Sequence, residues 1–415
     1  MYAAGRSLFV VLFLLALGSP ILAAQPPAKR AVGPAIPLKD PMVFYLAKGE
    51  PDSCGPGCDE WIAAEGTITL GTAGRMRSFL KRHGGNRPIY FYSPGGITAE
   101  SIGIGRLMRE RGMRAGVART IPVGCEGDER KCAAAKRSGR EIIARLTSSL
   151  SQCNSACVYA IVGAREREVA PEAHLGIHAS KTVIVGYWPK NVKLPSEART
   201  RFKAENQRQI RRYLVDMGIP AALLDEAEKV PHESVHALSR EEMVRFYIDT
   251  RRVVESGWIF DDRFADKGGI FKSIDITDTN SAHYRKTMLQ VSCFGRDKFL
   301  VGYAREVGPK EQSFAPVKIV AASEEFQLAP PAEPVVLKDP AKRYDVRGAP
   351  VPVAAFESAA AQKQIEIAPA MTDSKPITLK LSTIGLASAI SSLSQRCGHE
   401  GRESGGAALV PRQRP

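Results

Sequence analysis

Residues 153–180 read C-N-S-A-C-V-Y-A-I-V-G-A-R-E-R-E-V-A-P-E-A-H-L-G-I-H-A-S. The small-residue turn Asn154-Ser155-Ala156 opens an apolar run of helical character. A connector with Gly163 and Pro171 follows, then a short apolar strand that ends on His178. A hydroxyl at the mouth of a helix and an imidazole at the end of a strand supply what nucleophilic catalysis requires, a weak nucleophile with a base in hydrogen-bond reach. Ser155 and His178 are therefore the candidate nucleophile and general base.

Upstream, strands and helices alternate. Met42 to Leu46 and Trp61 to Leu70 read as strands, the second kinked at Gly66; Thr72 to His83 carries Met76, Phe79 and Leu80 at helical spacing. Pro88 to Tyr92 is an apolar run suited to a buried parallel strand. It is followed by the sharp turn Ser93-Pro94-Gly95-Gly96, a helix through Ile102, Ile104, Leu107 and Met108, and a strand from Ala115 to Ala118. The alternation predicts βαβ units. Residues 124–152 interrupt it with a Lys/Arg-rich segment expected to be a solvated surface loop. Downstream, a long helix is predicted from Ser196 to a stop at Gly218, then a shorter one over Ala221 to Val230, then a capped helix start at Leu238-Ser239. Beyond Ser281, Val291 to Cys293, Phe299 to Tyr303, Val317 to Ala321 and Ile377 to Leu381 read as strands and Ile384 to Ser394 as a helix. Residues 328–370, rich in Pro and Ala, read as loop.

Length and composition bound the rest. A chain of 415 residues is too long for one ordinary core, which predicts a body over 41–282 and a small α+β domain over 285–397. The net charge of +14 favours acidic neighbours without specifying a fold. Arg6, the apolar run Leu8 to Leu17 and the small residues Leu22-Ala23-Ala24 form an export signal over 1–24, cleaved before Gln25, with a flexible lead over 25–40. No later stretch approaches a membrane span, so no transmembrane segment is expected after cleavage. The eight cysteines (Cys54, Cys58, Cys125, Cys132, Cys153, Cys157, Cys293 and Cys397) suit an oxidising compartment and disulfides. Cys54 and Cys58 flank a flexible Gly-Pro-Gly, and Cys293 and Cys397 bracket the last third. On a regular helix Cys153 and Cys157 would have Cβ atoms about 5–6 Å apart, more than the roughly 3.5–4.5 Å of a disulfide. That pair needs a distorted first turn or other partners, Cys125–Cys153 being the alternative. A disordered tail is expected over 398–415.

Two separated motifs resemble the Clp protease proteolytic subunit within the Clp/crotonase superfamily. S-P-G-G-I-T-A at Ser93–Ala99 is similar to that family's turn after a central strand, Asn154–Ala156 to its nucleophile turn, and Leu175–His178 to its strand ending on the catalytic histidine. The resemblance spans about residues 60–255. It implies an α/β fold of repeated ββα units around a parallel sheet, with Ser155 as nucleophile, His178 as base and the backbone N–H groups of Gly95 and Ala156 as oxyanion donors. It also implies a third member that orients the imidazole, which matches Asp249, with Thr250 fitting the spacing about as well. A peptide or protein substrate is expected, with no cofactor; a homo-oligomer is compatible with the sequence, which does not specify the oligomeric state. The export signal, the cysteines and the basic segment depart from the cytosolic protease, so no ATP-driven unfoldase is expected. Some exported relatives use a Ser–Lys pair, for which Lys181 would be the nearby lysine; the L-G-I-H match favours histidine.

Three rival readings compete. His232-Glu233-Ser234-Val235-His236 spells H-E-x-x-H, a zinc-protease signature that needs both imidazoles on one helix face, with Glu255 or Asp249 as third ligand. It lies in no strong amphipathic run, and no metal site is expected. Nucleic-acid binding rests on net charge alone and is not expected. A Clp-like scaffold used for binding or assembly in the cell envelope is the non-enzymatic alternative, because fold does not determine function. The reading favoured is an exported serine peptidase-like hydrolase.

Overall fold

Short apolar runs can be buried on both faces only inside a layered α/β core, and the first half of the chain is built from them. In the computed structural model the described residues are 39–125, 128–181, 195–261, 268–277, 283–295, 297–307, 316–330, 343–371 and 376–403. The expected export signal, nearly all of the lead and the end of the tail lie outside them.

The first half comprises β1 (Val43–Lys48), β2 (Glu60–Glu65), α1 (Thr72–His83), β3 (Ile89–Tyr92), α2 (Thr98–Glu110), β4 (Arg114–Val117), β5 (Arg119–Pro122), α3 (Glu129–Arg137), β6 (Ile142–Thr147), β7 (Gln152–Asn154), α4 (Ala156–Ile161), β8 (Glu166–Glu168), β9 (His174–Ile177), α5 (Ser196–Asp216), α6 (Ala222–Lys229), β10 (His236–Ala237) and α7 (Arg240–Arg245). A seven-stranded sheet has the order β5-β6-β1-β2-β3-β4-β8, and a three-stranded sheet the order β10-β9-β7. The pairs β2–β3, β3–β4, β4–β8, β1–β6 and β7–β9 are parallel. β1–β2, β5–β6 and β9–β10 are antiparallel. The result is a mixed α/β architecture with parallel strands. β3 is buried at all four positions. One apolar cluster gathers Phe91, Ile104, Val158, Leu175, Ile210, Leu214 and Phe246 across these elements. Just past the end of α4, a Cβ on Gly163 would fall 2.2 Å from the Gly105 Cα of α2. The chain leaving α4 can approach α2 so closely only because Gly163 has no side chain.

Several sequence expectations give way here. β2 stops at Glu65, so the strand expected to continue to Leu70 breaks at Gly66. The Lys/Arg-rich segment is not a solvated loop. Asp128 caps α3 by accepting from the Lys131 N–H at 3.0 Å, and β6 pairs with both β5 and β1. Lys136 is 3% exposed, with its ammonium 2.5 Å from the Glu65 carboxylate and over the Tyr45 ring. A lysine can be buried when a carboxylate is already there to pair it, and Glu65, 2% exposed at the end of β2, is that carboxylate.

From Val253 onward the architecture becomes antiparallel. Strands Val253–Glu255, Gly269–Thr277, Tyr284–Phe294, Lys298–Val307 and Arg343–Pro352 follow one another across a six-stranded sheet, with Ile259–Asp261 also on the Gly269–Thr277 strand. A four-stranded sheet has the order Glu324–Leu328, Val317–Ala321, Ile365–Met371, Pro376–Lys380. Residues 253–277, read from sequence as part of the 41–282 body, thus hydrogen-bond with the strands after them. The expected loop at 328–370 instead contains the strand Arg343–Pro352, the helix α8 (Val353–Gln362) and the strand Ile365–Met371. Its Pro and Ala residues obscured a register that long-range pairing supplies, Lys298–Val307 matching Arg343–Pro352 residue for residue. The helix α9 (Leu386–Glu403) runs through the start of the expected tail at Gly398. A second apolar cluster joins Trp258, Ile274, Val301, Phe356 and Leu393.

All eight cysteines are paired: Cys54–Cys58, Cys125–Cys132, Cys153–Cys157 and Cys293–Cys397. Cys125 pairs with Cys132, not with Cys153. These bonds are consistent with export. Among the described residues no helix is long and apolar enough to cross a membrane.

Candidate functional site

The site forms where β7 turns into α4. Ser155 is the residue at the bend, with φ 56° and ψ −126°, a combination that an L-residue adopts at a cost of about 1–3 kcal/mol and that tends to mark functional turns. Its N–H donates to the Gly176 carbonyl of β9 at 2.7 Å, so the turn is hung on the strand leading to His178. α4 has six residues and no side-chain cap. Its first amide, that of Ala156, has no hydrogen-bond partner among the described residues, as expected of a helix N-terminus.

The S-P-G-G turn lies directly against this bend. The Ser93 N–H donates to the Gln152 carbonyl at 2.8 Å and the Asn154 N–H to the Ser93 carbonyl at 3.0 Å, joining the end of β3 to β7. Gly95 has φ 101°. A Cβ there would fall 2.5 Å from the Asn154 carbonyl oxygen, 2.7 Å from the Ser155 Cβ and 3.0 Å from the Ala156 nitrogen. Only glycine fits. Two motifs some sixty residues apart therefore meet at Ser155. The Gly95 N–H, however, donates to the Ser93 Oγ at 3.1 Å. The neighbouring amide, that of Gly96, is the one without a partner among the described residues.

β7 and β9 run parallel with Asn154 opposite Gly176, which brings Ser155 level with Ile177 and places His178 one residue beyond. The His178 Nδ1 lies 3.0 Å from the Ala179 carbonyl. A carbonyl only accepts, so this contact assigns the proton to Nδ1 and leaves Nε2 as the basic nitrogen. The His232 Nδ1 reaches the same oxygen at 3.1 Å, and the two rings meet edge to face with centroids 4.8 Å apart. The Ser155 Oγ has no hydrogen-bond partner among the described residues.

Asp249 is bonded to other partners than this pair. It is 3% exposed. Its Oδ1 accepts from the Arg251 N–H at 3.2 Å and Nε at 2.9 Å. Its Oδ2 accepts from the Val169 N–H at 3.0 Å and Arg251 Nη2 at 2.7 Å. Arg240 Nη1 lies 3.0 Å from the same oxygen as an ion-pair contact without hydrogen-bond alignment. Burial acts to raise this carboxyl, but the bonds from Arg251 and the charge of Arg240 outweigh it and hold the group below its ordinary value. His178 is not among its partners. Spacing after α7 places a carboxylate in the right stretch of chain and cannot say which cation it will face. Thr250 is exposed.

The H-E-x-x-H segment does not form a zinc helix. Residues 231–235 form a turn, His236 lies in β10 opposite Ile177, and its Nε2 is 2.9 Å from the Glu242 carboxylate. The two imidazoles are thus committed to different partners. Glu255 pairs with the buried Lys272 at 2.8 Å. No group of three or more His, Cys, Asp or Glu among the described residues is placed to hold a metal. Lys181 is exposed at the edge of a segment outside the described residues. A cavity of about 150 Å³ lies between Cys54, Tyr90, Arg251 and Trp258 and includes neither Ser155 nor His178. Sequence reasoning named His232 only in the H-E-x-x-H signature; its approach to His178 depends on the fold of the 228–237 connection and leaves no local signal.

No protein-family model matches the chain, and no curated protein matches it. Among solved structures it is similar to a mutant form of the 1510-N membrane-bound stomatin-specific protease, with a TM-score of 0.26 and 14% identity over 44% of this chain and 73% of that one. At that TM-score the likeness carries no argument, and the functional reading rests on the geometry of the site.

Proposed function

We propose that this chain is an exported serine peptidase-like hydrolase in which Ser155 attacks a peptide carbonyl and His178 takes its proton. The observation that carries the reading is the strained bend at Ser155, φ 56° and ψ −126°, between a buried strand and a helix N-terminus with Gly95 packed against it. Such a bend holds a hydroxyl clear of the strand it follows. The His178 Nε2 accepts the serine proton and returns it to the leaving amine. The unpartnered amides of Ala156 and Gly96 are the donors for the oxyanion, because they point no hydrogen bond elsewhere and require no reorganisation; the Gly95 N–H serves Ser93 instead. The Ala179 carbonyl orients the imidazole, and Asp249 belongs to the arginine cluster. A Clp/crotonase-type body, a peptide substrate, homo-oligomerisation without an ATP-driven unfoldase and a separate C-terminal domain that begins with the strand Val253–Glu255 belong to the same proposal.

One observation favours the non-enzymatic alternative, a binding or assembly module of the cell envelope: the Ser155 Oγ has no partner among the described residues. A serine-reactive fluorophosphonate probe separates the two. Covalent labelling mapped to Ser155 and abolished by His178→Gln is the expected result. A folded wild-type chain that is not labelled would overturn the hydrolase reading and favour the binding module.

A further inference from the structure

The four disulfides differ in what they enclose. Cys54–Cys58 closes a loop over Gly-Pro-Gly, Cys125–Cys132 the start of α3, and Cys293–Cys397 ties α9 to a strand 104 residues away. Cys153–Cys157 alone closes a ring with Ser155 at its centre, with Cα atoms 5.2 Å apart. Cys153 is held in β7 opposite Leu175 and against Ser93 on its other side, whereas Cys157 is the second residue of α4. The bond therefore ties the strand entering the bend to the helix leaving it. It is the covalent tie there, beside the packing of α4, whose residues are all buried, and the bond that the Tyr213 hydroxyl donates to the Tyr159 carbonyl at 2.7 Å. α4 is a six-residue helix without a side-chain cap, too short to persist by its own hydrogen bonds, and Ser155 occupies a backbone region that relaxes unless its surroundings over-determine it.

We infer that the Cys153–Cys157 disulfide is a positioning element of the Ser155 site, so that the site becomes reactive only after oxidation. The inference rests on the serine reading above. Both sulfurs are fully buried, at 0% exposure, within the main apolar cluster. The bond forms during folding, before closure of the core, and is not a reversible switch of the folded protein. In that step the two thiols lose two electrons and two protons to a disulfide oxidant, which departs as two thiols. In a reducing compartment the same chain keeps two thiols beside a bend that lacks its covalent brace, so premature hydrolysis before export is avoided.

The test uses the full-length chain and the fluorophosphonate probe. The double variant C153A/C157A is compared with C54A/C58A, which removes a ring of the same sequence separation away from Ser155. Both are checked for cooperative thermal unfolding. The expected result is a hundredfold or larger fall in the labelling rate at Ser155 for C153A/C157A, with kcat for a peptide substrate falling and KM unchanged, and less than a threefold change for C54A/C58A, by analogy with the cost of misplacing a reacting group by about 1 Å. Equal labelling of wild type and C153A/C157A, or an equal loss in C54A/C58A, overturns the inference while leaving the serine reading intact. Wild type that is not labelled overturns both. Should C153A/C157A fail to fold, the wild-type chain is refolded with dithiothreitol and then oxidised with oxidised glutathione while thiols are mapped. Labelling should then rise in step with the Cys153–Cys157 bond; labelling that precedes it overturns the inference.

Discussion

The bend at Ser155 is half-buried and the cluster at Asp249 is buried; both are polar, yet their hydrogen-bonding states are opposite. Around Ser155 the backbone is strained and the amides of Ala156 and Gly96 have no partner among the described residues. Around Asp249 the carboxylate accepts four hydrogen bonds and a further ion-pair contact from Arg240. A polar group that is fully satisfied stabilises a fold, and one left open by a rigid scaffold is available to a ligand. The contrast separates a place where chemistry can occur from one where structure is held.

The comparison is broken most directly at Ser155. Ser155→Ala should lower turnover of a peptide substrate on the order of 10⁶-fold with little change in stability, measured by hydrolysis of a peptide panel; full turnover in the variant would remove the enzymatic reading. Asp249→Ala should do the reverse. Leaving the buried Arg240 without its ion pair, while Arg251 keeps Glu168 at 3.9 Å, should cost about 3–5 kcal/mol in urea unfolding, with Ser155 labelling retained in the protein that remains folded. The same group predicts a pH effect. A carboxyl held below its ordinary value of 3.8 contributes stability that is fully present above that value and is lost as pH falls through the lower folded one. The acid limb of the stability curve should therefore be shallower in Asp249→Asn than in wild type, the part that remains belonging to other lowered carboxyls such as Glu241. A variant that lost labelling at unchanged stability would return Asp249 to the triad.

Smaller effects sharpen the boundary. Gly95→Ala forces a Cβ to 2.5 Å from the Asn154 carbonyl oxygen and should cost about 1–3 kcal/mol while also displacing Ser155, so thermal stability and labelling should fall together. His232→Ala, at an exposed ring, should change stability by no more than about 0.5 kcal/mol. Chelators should leave the activity of both wild type and this variant unchanged, since the H-E-x-x-H residues are committed elsewhere; activity restored by added zinc would reinstate the metal reading.

Much of the α/β half was legible because its signals are local. Ile89–Tyr92 is an apolar run buried at every position, and the capped start of α7 appears as a capping box between Ser239 and Glu242. The Cys153–Cys157 bond was not legible, because helical spacing was the wrong frame: Cys153 belongs to a strand and Cys157 to a helix, and the bend between them sets their separation. Lys136 was misread for a related reason. Nothing in its own segment announces Glu65, seventy-one residues earlier. The strand Arg343–Pro352 looks irregular until Lys298–Val307 gives it a register.

By itself, the sequence determined which residues can turn sharply, which runs are apolar enough to be buried and that a serine stands at the mouth of a helix, because these depend on a few adjacent residues. The tertiary structure alone decided that Gly95 packs on Ser155, that the Asp249 carboxylate faces two arginines and not His178, and that His232 shares an acceptor with His178. Those outcomes depend on which distant backbone and which opposite charge lie within a few ångströms, and that is established only when the strands pair.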